Sequence, residues 1–179
     1  MRRRPRLQPA KVLHSGPGDI ALRVFCLVVF LAVLCLRVVA YTAADAADPA
    51  YLGTWKIASA AVAPWSTPQR EPDTGERTRL MGKTVVFRSK AIAGPQPFAC
   101  QGPHYNLTDY TADLLFQGAF DEMHRQDKSV DPGKMAAGLG FSGEAIRTLE
   151  TGCEFDFHFV DAATAQVGLN DYVYTLKKQ

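Results

Sequence analysis

The stretch Thr164-Ala165-Gln166-Val167-Gly168-Leu169-Asn170-Asp171-Tyr172-Val173-Tyr174-Thr175-Leu176-Lys177 reads as two strands around a two-residue turn. Asn170 and Asp171 are residue types that accept the backbone geometry of a tight hairpin. Folding about them sets Leu169 opposite Tyr172, Val167 opposite Tyr174 and Ala165 opposite Leu176. Side chains alternate between the faces of a strand, so all six fall on one side. Pairing and burial then agree, which is the mark of a specified hairpin. Just upstream, Glu154, Asp156, His158 and Val160 alternate with Phe155, Phe157 and Phe159. That is a strand with an aromatic core face and a mostly polar face. Asp161-Ala162-Ala163 turns it into the hairpin, giving a three-stranded meander at the end of the chain.

Moving toward the N-terminus, Ser142 is expected to cap a short helix with Ile146 and Leu149 on one face. Residues 126–133 read as a polar loop ending in Asp131-Pro132-Gly133. Leu114, Leu115, Phe116, Ala119, Phe120 and Met123 recur at helical spacing, so an amphipathic helix capped by Asp113 is expected over 113–125. Tyr105 to Tyr110 and Phe98-Ala99-Cys100 read as short strands, and Gly82 to Ile92 as β pattern centred on Val85-Val86-Phe87. Residues 66–79 contain Pro68, Pro72 and Gly75 and no apolar residue, and read as an exposed loop. Gly53-Thr54-Trp55-Lys56-Ile57 starts the first strand. The expected fold is mainly β: a small antiparallel β-barrel or sandwich of six or seven strands with one or two short helices. Either form deals with exposed sheet edges.

Charge divides the chain of 179 residues. Residues 1–46 hold seven Lys/Arg and two Asp/Glu, whereas residues 47–179 hold thirteen and sixteen. The body is therefore mildly acidic, which argues against a nucleic-acid partner, because phosphate neutralisation needs clustered positive charge. Val24 to Leu36 is an apolar run of thirteen residues between Arg23 and Arg37. A membrane span needs about 20 such residues, and a signal-peptide core about 7–15. Ala44-Asp45-Ala46 offers a small-x-small cleavage site. Residues 1–46 are thus expected to be a signal peptide cut after Ala46 or an anchor stretched over residues 20–40. Both export the 47–179 domain, periplasmic or secreted, because the positive end stays in the cytoplasm. Only the N-terminal segment would meet a membrane.

Of the four cysteines, Cys26 and Cys35 fall in the leader and Cys100 and Cys153 in the body. In an oxidising compartment the second pair is expected to form a disulfide. Its loop of about 54 residues corresponds to about 4 kcal/mol on the chain-entropy model.

Leu52-Gly53-Thr54-Trp55, opening the first strand of a small exported β domain, resembles the Gly-x-Trp start of lipocalins and related calycin barrels. The resemblance implies that Trp55 plugs the closed end of a barrel and that Gly53 lets the backbone pass closely. Gly-x-Trp also opens avidin-like barrels and small barrel inhibitors of secreted metalloproteases. The lipocalin Thr-Asp-Tyr is met only by Thr108-Asp109-Tyr110. The body from Tyr51 to Leu176 is also similar to small exported bacterial proteins, a resemblance that carries no activity. Exported lysozyme inhibitors carry a Ser-Gly-x-x-Tyr motif, from which Ser142-Gly143-Glu144-Ala145-Ile146 departs at the Tyr.

Catalytic motifs are lacking: there is no Gly-x-Ser-x-Gly, no His-Glu-x-x-His and no phosphate-cradling loop. No catalytic residue and no cofactor is expected. His104 and His158 follow Cys100 and Cys153, and a disulfide would draw both histidines together. With Asp156 or Glu154 they would offer a divalent-metal site for zinc or copper. The plainer reading makes Glu154, Asp156 and His158 a solvent-facing strand surface. Glu154 and Asp156 are also spaced as a carboxylate pair, and Asn106-Leu107-Thr108 matches the N-glycosylation triplet. Trp65, Tyr51, Phe98, Tyr105 and Tyr110 lie at strand ends where aromatic rings line ligand openings. The leading expectation is a non-enzymatic domain that binds an apolar small molecule or peptide, with Trp55, Trp65, Phe155, Phe157 and Phe159 as the ligand-binding residues. The alternative is a module that binds a secreted protein, such as a hydrolase, through loops 66–79 and 126–142. An open apolar interior would favour the first and a filled core with protruding loops the second.

Overall fold

The computed structural model describes residues 49–67 and 71–179. The expected leader and its cleavage site lie outside the described residues. The described chain forms strands β1 (Gly53–Val62), β2 (Thr84–Arg88), β3 (Ala91–Ala93), β4 (Cys100–Gln101), β5 (Asn106–Tyr110), β6 (Ile146–Glu150), β7 (Phe157–Asp161), β8 (Thr164–Leu169) and β9 (Tyr172–Lys178). Three helices accompany them: α1 (Thr74–Leu80), α2 (Leu115–Gln126) and α3 (Pro132–Gly138), with a 3-10 turn at Ala112–Leu114. All nine strands join one antiparallel sheet in the order β4-β3-β2-β1-β9-β8-β7-β6-β5, curled into a half-barrel compatible with a calycin-like fold.

The C-terminal hairpin has the expected register, with Leu169 opposite Tyr172, Val167 opposite Tyr174 and Ala165 opposite Leu176. Asn170 takes φ 49°, a left-handed conformation that asparagine adopts more readily than most residues. The turn is tied down from outside the sheet. Asn170 Nδ2 donates to Glu76 of α1 at 2.7 Å, and the Trp65 indole N–H donates to the Asn170 carbonyl at 2.9 Å.

Alternation along the strands builds two cores. The concave side is filled by Trp55, Ile57, Val85, Phe87, Leu149, Phe157 and the six hairpin residues, with Leu80 of α1 among them. The convex side carries α2 and α3, which bury Leu115, Phe116, Phe120 and Ala136 against Ile146 and Val173. Gly168 makes that second layer possible. A Cβ there would stand 3.0 Å from two ring carbons of Trp65 and 3.1 Å from Phe116. The missing side chain lets both rings approach β8 closely.

The two sheet ends, β4 and β5, do not pair. The Cys100–Cys153 disulfide, with Cα atoms 6.4 Å apart, ties β4 to the loop after β6. The Tyr105 hydroxyl adds a 3.0 Å bond to the Arg88 carbonyl.

Several expectations are corrected. Nine strands form where six or seven were expected, because Gly82 to Ile92 splits at Ser89-Lys90 into two strands, and Ile146–Glu150 is a strand. Residues 142–149 do not form a helix. Ile146 and Leu149 sit on opposite faces of β6, one under the helices and one in the concave core. The helix of this region is α3, capped by Asp131, whose carboxylate accepts from the Lys134 N–H at 3.1 Å. The expected loop 66–79 contains α1, where the Asp73 carboxylate accepts from the N–H groups of Gly75 and Glu76. Asp113 does not cap α2. It lies in the 3-10 turn, and Phe116, Gln117 and Gly118 follow in left-handed conformation with φ of 53°, 57° and 76°.

Candidate functional site

The concave core is packed solid around its large aromatic rings. Trp55 is wholly enclosed: its ring stands 6.3 Å from Phe87 and 5.7 Å from Phe159, and its indole N–H donates to the Tyr51 carbonyl at 2.9 Å. Phe157 is 1 % exposed and meets Phe87 edge-on at 4.8 Å. Trp55 is packing, and Phe157 packs while also bordering a small cavity together with Phe155. Phe155 packs on Phe98 at 5.4 Å, beside a small cavity of about 250 Å³ that the disulfide also borders. Trp65 belongs to the other core altogether, stacked on Phe116 at 5.2 Å and Phe120 at 6.1 Å. The five aromatic residues singled out by sequence therefore do not converge on one cavity.

The open space lies at the end of the half-barrel where β1 begins. There the lead-in from Pro49 to Leu52 forms a strap that turns into β1, closed by a Leu52 N–H bond to the Pro49 carbonyl at 2.8 Å and tied to β9 by Lys178 Nζ, which donates to the Ala50 carbonyl. Tyr51 projects from this strap onto Tyr105, ring centroids 4.9 Å apart. A pocket opens on either side of it. One, of about 380 Å³, is lined mainly by apolar atoms of Tyr51, Leu107, Phe159, Val160 and Ala162, with Arg147 and Asp161 at its margin. The other, of about 630 Å³, is more polar and is lined by Tyr51, Leu52, Pro103, His104, Tyr105 and Asn106. Both volumes fall in the range of small-ligand sites.

Alternation explains the lining. Leu107 pairs with Leu149, and Asp109 with Arg147, so all four point to the concave side. Leu149 is covered, whereas Leu107, on the outermost strand, remains 40 % exposed. Arg147 Nε donates to Asp109 Oδ1 at 2.8 Å, and its two Nη groups make no hydrogen bond among the described residues. Burial raises the Tyr51 phenol, and burial together with the neighbouring Tyr51 pushes Tyr105 up to about 12. Both rings therefore stay neutral and offer apolar faces with a hydroxyl edge.

The two histidines are separated in role. His104 lines the polar pocket. His158 is 1 % exposed, not solvent-facing, because α2 covers this part of β7. The Thr148 hydroxyl donates to the Ile146 carbonyl and thus accepts from His158 Nδ1 at 2.9 Å. His158 Nε2 accepts the Phe116 N–H at 3.0 Å. Both ring nitrogens are engaged, and burial drives the pKa down to about 3. The ring's chemistry is to hold the left-handed turn at residues 116–118. Asp156 accepts from the Thr151 N–H at 3.3 Å, and burial raises its pKa. No group of three or more His, Cys, Asp or Glu among the described residues could hold a metal ion.

Tyr51 and Tyr105 were visible in the sequence as aromatics at strand ends. Leu107, Arg147 and Ala162 were not. The one available signal was the placement of an apolar Leu107 and a charged Asp109 on the same face of a short strand. Searches against protein-family models, curated proteins and solved structures find no match for this chain.

Proposed function

We propose that this domain is a binding module, not a catalyst, and that it takes an apolar small molecule or peptide in the pockets flanking Tyr51. The observation that carries this reading is the apolar pocket of about 380 Å³ between Tyr51, Leu107 and Phe159, with a guanidinium at its edge. Apolar walls with a few placed polar groups are the usual composition of a ligand site. The ligand sits at the end of the half-barrel rather than within it, because the interior is filled by the protein's own rings. The lipocalin-like Gly53-Thr54-Trp55 opening supports a calycin-type binder with Trp55 as the plug beneath the site. The Cys100–Cys153 disulfide supports work outside the cytoplasm. The second reading, a protein-binding module acting through residues 66–79 and 126–142, draws support from the filled core and from the exposure of most described residues in both segments, which project from helices anchored by Leu80 of α1 and Ala136 of α3.

The test is titration of the full chain with 8-anilinonaphthalene-1-sulfonate, whose rings suit the apolar wall and whose sulfonate suits Arg147. Leu107→Glu should weaken binding about tenfold or more, since it puts a carboxylate into the pocket while disturbing no covered side chain. Unchanged affinity in a folded Leu107→Glu variant would refute the site.

A further inference from the structure

Strand β5 pairs with β6 on one side and, among the described residues, with no strand on the other. No backbone hydrogen bond links residues 106–110 to any described segment beyond that pairing. The outer N–H and C=O groups of β5 thus form a template for another strand. Two side chains would read what docks there. Leu107 and Asp109, two positions apart, both point to the concave side, and both remain exposed. A strand laid beside β5 would set one inward residue against Leu107 and the next inward residue against Asp109.

We infer that the edge of β5 docks an extended peptide segment bearing an apolar residue and, two positions along, a basic one. The apolar residue covers Leu107 and closes the outer side of the pocket that Leu107 lines. The basic residue meets Asp109, whose Oδ1 is held by Arg147 of β6 and whose Oδ2 makes no hydrogen bond among the described residues. A body with more Asp and Glu than Lys and Arg favours a basic partner over an acidic one. A second copy of the chain is the poorer occupant, because Asn106-Leu107-Thr108-Asp109-Tyr110 carries no basic residue to set against Asp109. The inference rests on the binding reading above and names its ligand class.

The test is fluorescence anisotropy of the full chain with a labelled, acetylated and amidated nonapeptide of threonine that carries one leucine and, two positions on, one lysine. The comparison peptide has glutamate in place of the lysine. The lysine peptide should bind about fivefold tighter, the equivalent of about 1 kcal/mol for a favourable over an unfavourable cross-strand pair. Asp109→Asn should erase that preference and Asp109→Lys should reverse it. The paired variants keep the test meaningful if one of them fails to fold. Equal binding of the two peptides, or a preference that neither variant alters, overturns the inference. If the anilinonaphthalene sulfonate binds with its Leu107 dependence while neither peptide binds, the docking edge falls and the pocket stands. If neither probe binds, both fall. A dimer that forms through β5 and excludes the peptide would give the edge to a second copy and overturn the inference as well.

Discussion

Acid should destabilise this fold through one residue, His158, before the carboxylates titrate. The ring is enclosed between Thr148 and Phe116 with its Nε2 lone pair committed to the Phe116 N–H. A proton placed on Nε2 would face another N–H, so the folded state resists protonation down to about pH 3. In the unfolded chain the same ring takes its proton near pH 6.5. The unfolded state therefore binds more protons between those limits, and stability falls as pH drops through the window. At 1.36 kcal/mol per unit, the loss is about 2 kcal/mol at pH 5 and about 3 kcal/mol at pH 4. Glu150, Asp127 and Asp161 are each held below their usual values by hydrogen bonds, so they stay ionised across the upper part of the window. Asp156, raised by burial, acts in the opposite sense as it takes up its proton. The assay is urea unfolding followed by tryptophan fluorescence at pH 7, 6 and 5, for the native chain and for His158→Gln. Glutamine can accept from the Phe116 N–H without titrating. The native chain should lose about 2 kcal/mol between pH 7 and 5, and the variant should be lower at pH 7 but nearly flat. Equal pH slopes for the two proteins would refute the assignment.

Replacing both Cys100 and Cys153 by serine should cost about 4 kcal/mol, read as a lower urea midpoint, and native chain treated with reductant should match it. Gly168→Ala should cost about 1–3 kcal/mol as an overpacked contact against Trp65 and Phe116, measured by the same titration. No loss in that variant would mean that the two rings are not seated on β8.

The readability of the sequence varied along the chain for physical reasons. The terminal hairpin was legible because its inward residues are all apolar and its turn residues are unambiguous. Strand β6 was misread because it carries an apolar residue on each face. Ile146 serves the helical layer and Leu149 the concave core, and two apolar residues three apart imitate a helix. His158 was misplaced for a related reason: alternation tells which residues share a face, but not that a distant helix covers it. The left-handed run at 116–118 left only Gly118 as a trace, since Phe116 and Gln117 are ordinary helix residues. Trp55 was legible as an inward-facing residue of the first strand, yet the residues that line the pockets were largely not. Leu107, Arg147 and Ala162 come from three separate segments that meet only when the sheet curls.

The sheet order also dictates a timetable. Every neighbouring pair of strands except β1 and β9 follows in sequence or nearly so, and β1 and β9 join the two halves of the half-barrel through seven register pairs. The residues they bring together are roughly 110 apart or more, which makes this closure the slow, non-local step of folding. As the chain leaves the ribosome, β1 waits on the order of 5–20 s for its partner at the usual rates of synthesis. During that wait the concave core has no second wall, and Trp55 has nothing to be buried by. A nascent chain so arranged stays open until its last strand is made.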